Sequence, residues 1–321
     1  MLSKFIGKGE NFMKILVKND LLTMHDQEKV QGYVYIKNYS VQPTKNGGSY
    51  IGGNLEAKGS LPFKVWSSAG CFAEMSSNNY NETICMVDAK VNVYGGSYSL
   101  VLEGCRAVDM RNFEYEVSDF YQEKYNAESY WNNLCATLKK HLSENAYKVF
   151  EIVVSGDVKD AFMKEFAAIS HHDAYASGLL AHTTKVVKLA TVIKMYPEIV
   201  RIVGNDLLFL GSALHDIGKT REYRNGVMSD EGKRISHLTS GILMLEVHRN
   251  EIEELMGIDF YIDLLSVISQ HHGEYADHPR TVAAAVINQI DCLDSHLTTL
   301  NEMLEGCEKG TQIVFGGDKL V

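Results

Sequence analysis

Proline, paired cysteine motifs, long apolar runs and surplus positive charge are all scarce in this sequence, and each scarcity removes a class of protein. Four prolines in 321 residues leave no Pro-rich linker or disordered tail to expect. The cysteines Cys71, Cys85, Cys105, Cys135, Cys292 and Cys307 include no CxxC pair, which sets aside a zinc ribbon and a dense disulfide framework. They read as buried thiols in a reducing cytoplasm. The opening MLSKFIGKGENF carries lysines but no apolar core, and no later window reaches about 18 consecutive apolar residues. Neither a secretory leader nor a membrane span is expected. A formal net charge of −10 argues against wrapping nucleic acid by bulk charge. An anionic substrate stays open, because bound divalent cations would invert the local field.

What is present falls into two halves, a multidomain β + α chain. From Val30 to Val108 apolar and polar residues alternate with period two between turn signals. VQGYVYIKNYSV, SYIGGNLEA, LPFKVWS, ICMVDAKVNVY and SYSLVLEGCRAV read as five strands of a small barrel over residues 1–112. The turns fall at Asn46 to Gly48, Lys58 to Ser60 and Gly95–Gly96, with a polar loop around SSNNYNET. Residues 113–144 read as a helical connector, acidic early and basic late. Residues 145–321 keep a period of 3.6 almost throughout, the pattern of an all-α bundle.

Polar residues interrupt the apolar helical faces of that bundle. They are His182 in GLLAHTT, His215 and Asp216 in ALHDIGK, His237 in ISHLTSG, His271 and His272 in ISQHHGEY, and Asp291 in INQIDCLDSH. One histidine on an apolar face is usually a satisfied core residue. A series is different, because an isolated ionised aspartate costs several kcal/mol to bury unless it is paired or coordinated. Imidazole nitrogen with carboxylate oxygen suits manganese, iron, cobalt, nickel or zinc, and the lack of nearby cysteine lowers the odds of a structural zinc. Gly218 is expected to let the chain turn after the helix, leaving Lys219 to project beside the metals toward a phosphate. Asp294, one turn after Asp291, reads equally as an acid orienting a ligand or as a surface group.

His182, then HDIGK at His215 and Asp216, then Asp291, in this order on helices, resemble the signature of the HD phosphohydrolases. His237 and the HHG at His271 and His272 resemble the additional ligands of two-metal members. AYASGLLAHTTKVVKLA, LLFLGSALHDIGKTREY, HLTSGI, ISQHHGEY and INQIDCLDSHL together look like the YhaM-type 3′→5′ exoribonucleases, which join an N-terminal OB domain to an HD domain. The resemblance implies two divalent cations, manganese first, with cobalt, iron, nickel or magnesium as alternatives, bridged by Asp216. His182, His215 and Asp291 would complete one shell, and His237, His271 and His272 the other. His171 and His172 are left outside the set. It further implies cytoplasmic digestion of single-stranded RNA or DNA from the 3′ end to nucleoside 5′-monophosphates.

The barrel would grip the strand by stacking bases on exposed aromatics, about 1–3 kcal/mol each. The candidates are Tyr35, Lys37, Tyr50, Lys64 and Trp66, with Tyr33, Phe63, Tyr98, Lys45 and Lys90 beside them. Tyr35 and Lys64 are expected to be the more exposed, and Trp66 to be core. Two other functions fit the residues: a phosphohydrolase acting on a small nucleotide, and a single-strand-binding protein with a silent HD site. A homo-oligomer would raise the effective concentration of a weak binding module, but composition does not fix a copy number.

Overall fold

A computed structural model of the chain describes residues 14–44, 47–121, 126–168, 175–224, 226–273, 277–304, 307 and 309–320. Lys45, Asn46, His171 and His172 lie outside the described residues. The chain divides into two compact units, Met1–Gln122 and Glu123–Val321.

The first unit is a closed barrel of β1 (Lys29–Pro43), β2 (Ser49–Glu56), β3 (Ser60–Trp66), β4 (Thr83–Tyr94) and β5 (Ser97–Ala107), in the spatial order β1-β2-β3-β5-β4. β1 pairs with both β2 and β4, and β3 meets β5 in parallel, the order of an OB-like barrel. Alternation sets the inside: Leu61, Phe63 and Val65 of β3 are buried, whereas Pro62, Lys64 and Trp66 face out. The β4–β5 hairpin turns on Gly95 and Gly96, both at positive φ, where a residue with a Cβ is disfavoured. A short helix, α1 (Lys18–Leu21), precedes the barrel, and a second, α2 (Phe72–Ser77), leads into the polar stretch between β3 and β4 and buries Met75.

The segment after β5 departs from the expected continuous helix. Val117–Phe120 forms one 3-10 turn, and Phe113, Tyr115 and Tyr121 lay their rings on β1. Phe113 sits 4.8 Å from Tyr33, and Tyr121 sits 6.0 Å from Tyr35, centroid to centroid. Aromatic burial against the barrel outweighs local helix propensity there.

The second unit is helical: α3 (Ala127–His141), α4 (Glu144–Val153), α5 (Gly156–Lys164), α6 (Gly178–Ile193), α7 (Pro197–Val203), α8 (Asn205–Leu214), α9 (Lys219–Glu222), α10 (His237–Val247), α11 (Arg249–Met256), α12 (Ile258–Gln270) and α13 (Val282–Leu304). α3 starts where the Asn126 side chain accepts from Ser129 N at 2.8 Å. The run HLTSGILMLEVHRNEIEELM breaks at His248 into α10 and α11. Two small hairpins interrupt the all-α pattern, β6 (Tyr223–Arg224) with β7 (Val227–Met228), and β8 (Ile313–Phe315) with β9 (Asp318–Leu320). α8 is the central helix. Every residue from Leu207 to Leu214 is buried, and α4, α6, α12 and α13 pack around it. A helix apolar on all sides has no solvent face, so whatever follows its C-terminus emerges inside the protein.

The cysteines differ from expectation. Cys71, Cys85 and Cys105 are buried in the barrel, Cys135 and Cys292 are half-buried, and Cys307 is exposed. Among the described residues no helix is long and apolar enough to cross a membrane.

Candidate metal centre and barrel face

α8 delivers His215 and Asp216 to the interior, where the chain turns and Lys219 N donates to Asp216 O at 2.9 Å. Gly218 does not serve the turn as expected. Its φ of −64° suits any residue, but a Cβ there would lie 1.9 Å from His237 O and 2.7 Å from Gly241 N. Glycine is needed because α10 crosses directly over it, and that crossing puts His237 beside Asp216.

The ring nitrogens fix their own tautomers. His215 Nδ1 lies 3.0 Å from Ser212 O, and His271 Nδ1 lies 3.0 Å from Ile268 O. A carbonyl oxygen only accepts, so both rings carry a proton on Nδ1. His182 Nδ1 and His237 Nδ1 lie 2.8 Å and 2.9 Å from the carboxylates of Asp294 and Glu222, which demand the same. All four rings therefore aim Nε2 at Asp216. His182 and His215 stand 3.4 Å from Oδ2, while His271 at 3.4 Å and His237 at 3.6 Å face Oδ1. His272 Nε2 is 2.8 Å from His237 Nε2, and Asp291 Oδ1 is 3.2 Å from His182 Nε2.

Asp216 Oδ1 and His271 Nε2, both acceptors, are buried against each other and neither has a hydrogen-bond partner. Two buried lone pairs left facing each other are costly, and a cation between them removes the conflict. The donors fall into two groups sharing Asp216, one with His182 and His215, the other with His237, His271 and His272, each with its ligand atoms within 4.8 Å of one another. A third group joins His215, His271 and Asp291. A nitrogen and oxygen set of this kind fits divalent transition ions.

Charge at the centre is concentrated and opposed. Burial would raise Asp216, but the Lys219 ammonium, His215 and His182 hold its carboxyl well below the usual range. Burial likewise opposes ionised Asp291, which His182 keeps low. His182 is desolvated, yet Asp216, Asp291 and Asp294 push its imidazole well above its ordinary value. Burial depresses His271, and burial followed by its neighbour His271 brings His272 down to about 4. Lys219 donates to Asp216 Oδ2 at 2.7 Å and lines a cleft of about 950 Å³ with His237, His272 and Asp291.

Two residues complete the centre without having been assigned to it from sequence. Glu222 is buried and accepts from both His237 N and Nδ1. Only its place inside HDIGKTREY could have hinted at this, because its partner lies fifteen positions on. Asp294, which read equally as surface or orienting acid, is 3% exposed and pairs with His182.

On the barrel, Tyr35 was expected to be exposed and Trp66 to be core, and the structure reverses both. Tyr35 is 1% exposed, beneath Tyr121, whereas Trp66 is 42% exposed. Trp66 and the half-buried Tyr50 sit 5.5 Å apart, and Lys64 Nζ lies 5.8 Å and 5.7 Å from their rings. Lys37 lies apart from this cluster, 3.9 Å from the buried Glu56 and over the Tyr121 ring. Phe63 is core, Tyr33 and Tyr98 are half-buried, and Lys90 pairs with Glu103.

The HD domain family matches residues 179–295, the stretch from α6 into α13. The chain is 26% identical to the 3′-5′ exoribonuclease YhaM of Oceanobacillus iheyensis, over 94% of this chain and 96% of that one. It is also 26% identical to the YhaM of Bacillus subtilis, over 90% and 92%. Among solved structures, the mitochondrial single-stranded DNA-binding protein Rim1 of S. cerevisiae is 14% identical over 26% of this chain and 98% of that one, with a TM-score of 0.23; so low a score adds no weight. With an OB-like barrel followed by a helical unit that matches the HD domain family, the chain resembles the YhaM-type exoribonucleases along nearly its whole length.

Proposed function

We propose that the chain is a metal-dependent 3′→5′ exonuclease that hydrolyses single-stranded RNA to nucleoside 5′-monophosphates. The observation that carries the metal dependence is the unpartnered pair Asp216 Oδ1 and His271 Nε2, set among histidines whose Nδ1 protons are already committed. The near full-length likeness to YhaM exoribonucleases supports the substrate and direction.

Two divalent ions are proposed, manganese first. His182, His215 and Asp291 would hold one and His237, His271 and His272 the other, with Asp216 shared. Such ions, when bound, supply Lewis acidity toward a phosphate oxygen and a lower pKa for water. The protein's own part is to orient. Asp294 and Glu222 would keep His182 and His237 in the ligating tautomer and raise their basicity. Lys219, on the cleft wall, would steady a non-bridging phosphate oxygen as a point charge. Trp66, Tyr50 and Lys64 on the barrel would stack bases and hold backbone phosphate. The proposed compartment is the cytoplasm.

The test is an end-labelled RNA incubated with manganese. The wild type should release monophosphates stepwise from the 3′ end. Asp216→Asn, which keeps the shape but not the charge, should release none while melting as one folded protein. Full activity of that variant would refute the proposal.

A further inference from the structure

We propose that the imidazole of His296, on α13, is the platform on which the base beside the scissile phosphate stacks, so that the cleft selects a nucleotide over a bare phosphodiester. The class of ligand rests on the reading of the chain as a single-strand nuclease, and the place rests on the wall of the cleft.

The cleft onto which Lys219, His237, His272 and Asp291 open measures about 950 Å³, far more room than one phosphate fills. Its further wall is a face of α13. Asp291, Ser295, Thr299 and Glu302 recur at the i, i+3, i+4 spacing of such a face, with Cys292 and His296 along its edge. Of these side chains His296 alone carries a ring. It stands five positions beyond Asp291, an axial step of about 7.5 Å, comparable with the reach of a base across its ribose from its phosphate. Tyr223, the other ring on the cleft wall besides the histidines of the centre, is half-buried, whereas His296 is exposed.

The way His296 is held sets it apart from the other histidines of the cleft. His182, His215, His237 and His271 each commit Nδ1 to a carbonyl or a carboxylate, the arrangement that aims a ligand nitrogen. Among the described residues His296 has no such partner. Its ring is fixed by another ring instead, since Phe315 of β8 meets it at 5.6 Å and 87°. A perpendicular neighbour covers at most one face of the imidazole while limiting its swing. A planar group lying in the cleft can therefore reach a ring that is held from two elements, α13 and the β8–β9 hairpin. Histidine is among the side chains on which unpaired bases stack, and a bare phosphodiester offers such a ring nothing flat to meet.

The experiment uses the full chain with manganese and compares removal of the last nucleotide from a single-stranded RNA with the same step on an oligomer whose two 3′-terminal riboses lack bases. The wild type should prefer the RNA. His296→Ala should lower that preference, taken as the ratio of the two kcat/KM values, by about tenfold. His296→Phe, which keeps a flat ring but no nitrogen, should retain it. Alanine is the better helix former at this exposed position, so the melting temperature should hold. A His296→Ala with the wild-type ratio, or one that loses both substrates equally, overturns the platform. So does a His296→Phe that fails like the alanine, because the imidazole would then act through its nitrogens. A wild type that degrades RNA without preferring it sinks the platform alone, and one that degrades neither substrate sinks the proposed function.

Discussion

Glu222 holds His237 twice, accepting from its backbone N at 3.1 Å and facing its Nδ1 at 2.9 Å. Both the entry of α10 and the orientation of the imidazole depend on this one carboxylate. His237 makes burial of an ionised Glu222 tolerable, keeping its pKa below the ordinary value against desolvation. Glu222→Gln keeps a single acceptor oxygen, so it can hold the backbone N or the Nδ1 of His237 but not both. It should therefore lower manganese affinity and activity by about 10–100-fold and cost about 1–3 kcal/mol of stability for the donor left without an acceptor. Metal titration and thermal unfolding of the same preparation would check both halves.

Proton and cation compete for the same Nε2 atoms. The three aspartates around His182 push its imidazole well above the ordinary value, so the metal-free centre holds a proton at neutral pH. Ligation must expel it. Metal affinity should then fall as pH falls, with the loss beginning above the ordinary imidazole pKa rather than below it, because the shift is upward. Calorimetric titration of manganese near pH 7 in two buffers of different ionisation enthalpy should show proton release. A heat independent of buffer would contradict this account of the centre.

Gly218 tests how the site is assembled. Adding one methyl places a carbon 1.9 Å from His237 O, backbone that cannot swing aside like a side chain. Gly218→Ala should cost about 1–3 kcal/mol by overpacking and, by prising α10 from the turn, lower the affinity of the group that includes His237. Denaturant unfolding would report the first effect and metal stoichiometry the second. An alanine variant of wild-type stability would mean that the crossing is looser than the structure describes.

The helical centre was the more legible half. The proposed ligands His182, His215 and Asp216 stand out in sequence because each interrupts an apolar helical face, and burial of a charge demands a reason. Glu222 does not stand out, because it sits in a four-residue helix too short for any period and its partner is fixed by the Gly218 crossing. On the barrel the parity of β3 already placed Trp66 on the face of Lys64, two residues away, and aromatic character misled by suggesting core. Tyr35 could not be read in that way. Val34, Tyr35 and Ile36 are buried in succession, because the chain after β5 folds back over β1. That is a tertiary event, and alternation within one strand carries no trace of it.

The reversal on the barrel makes a paired prediction. Trp66 is exposed beside Tyr50 and Lys64, so Trp66→Ala removes stacking surface and leaves the core intact. It should weaken single-strand binding by about 1–3 kcal/mol, raising KM on long RNA with little effect on hydrolysis of a dinucleotide. Tyr35→Phe keeps the buried ring and its contact with Tyr121, so binding should not change at all. The buried Tyr35 hydroxyl, whose pKa burial pushes far up, gives that substitution at most a small effect on stability. Measuring both variants against long and short RNA separates strand capture from chemistry. A Tyr35→Phe that binds as weakly as Trp66→Ala would return the binding face to β1 and away from Trp66.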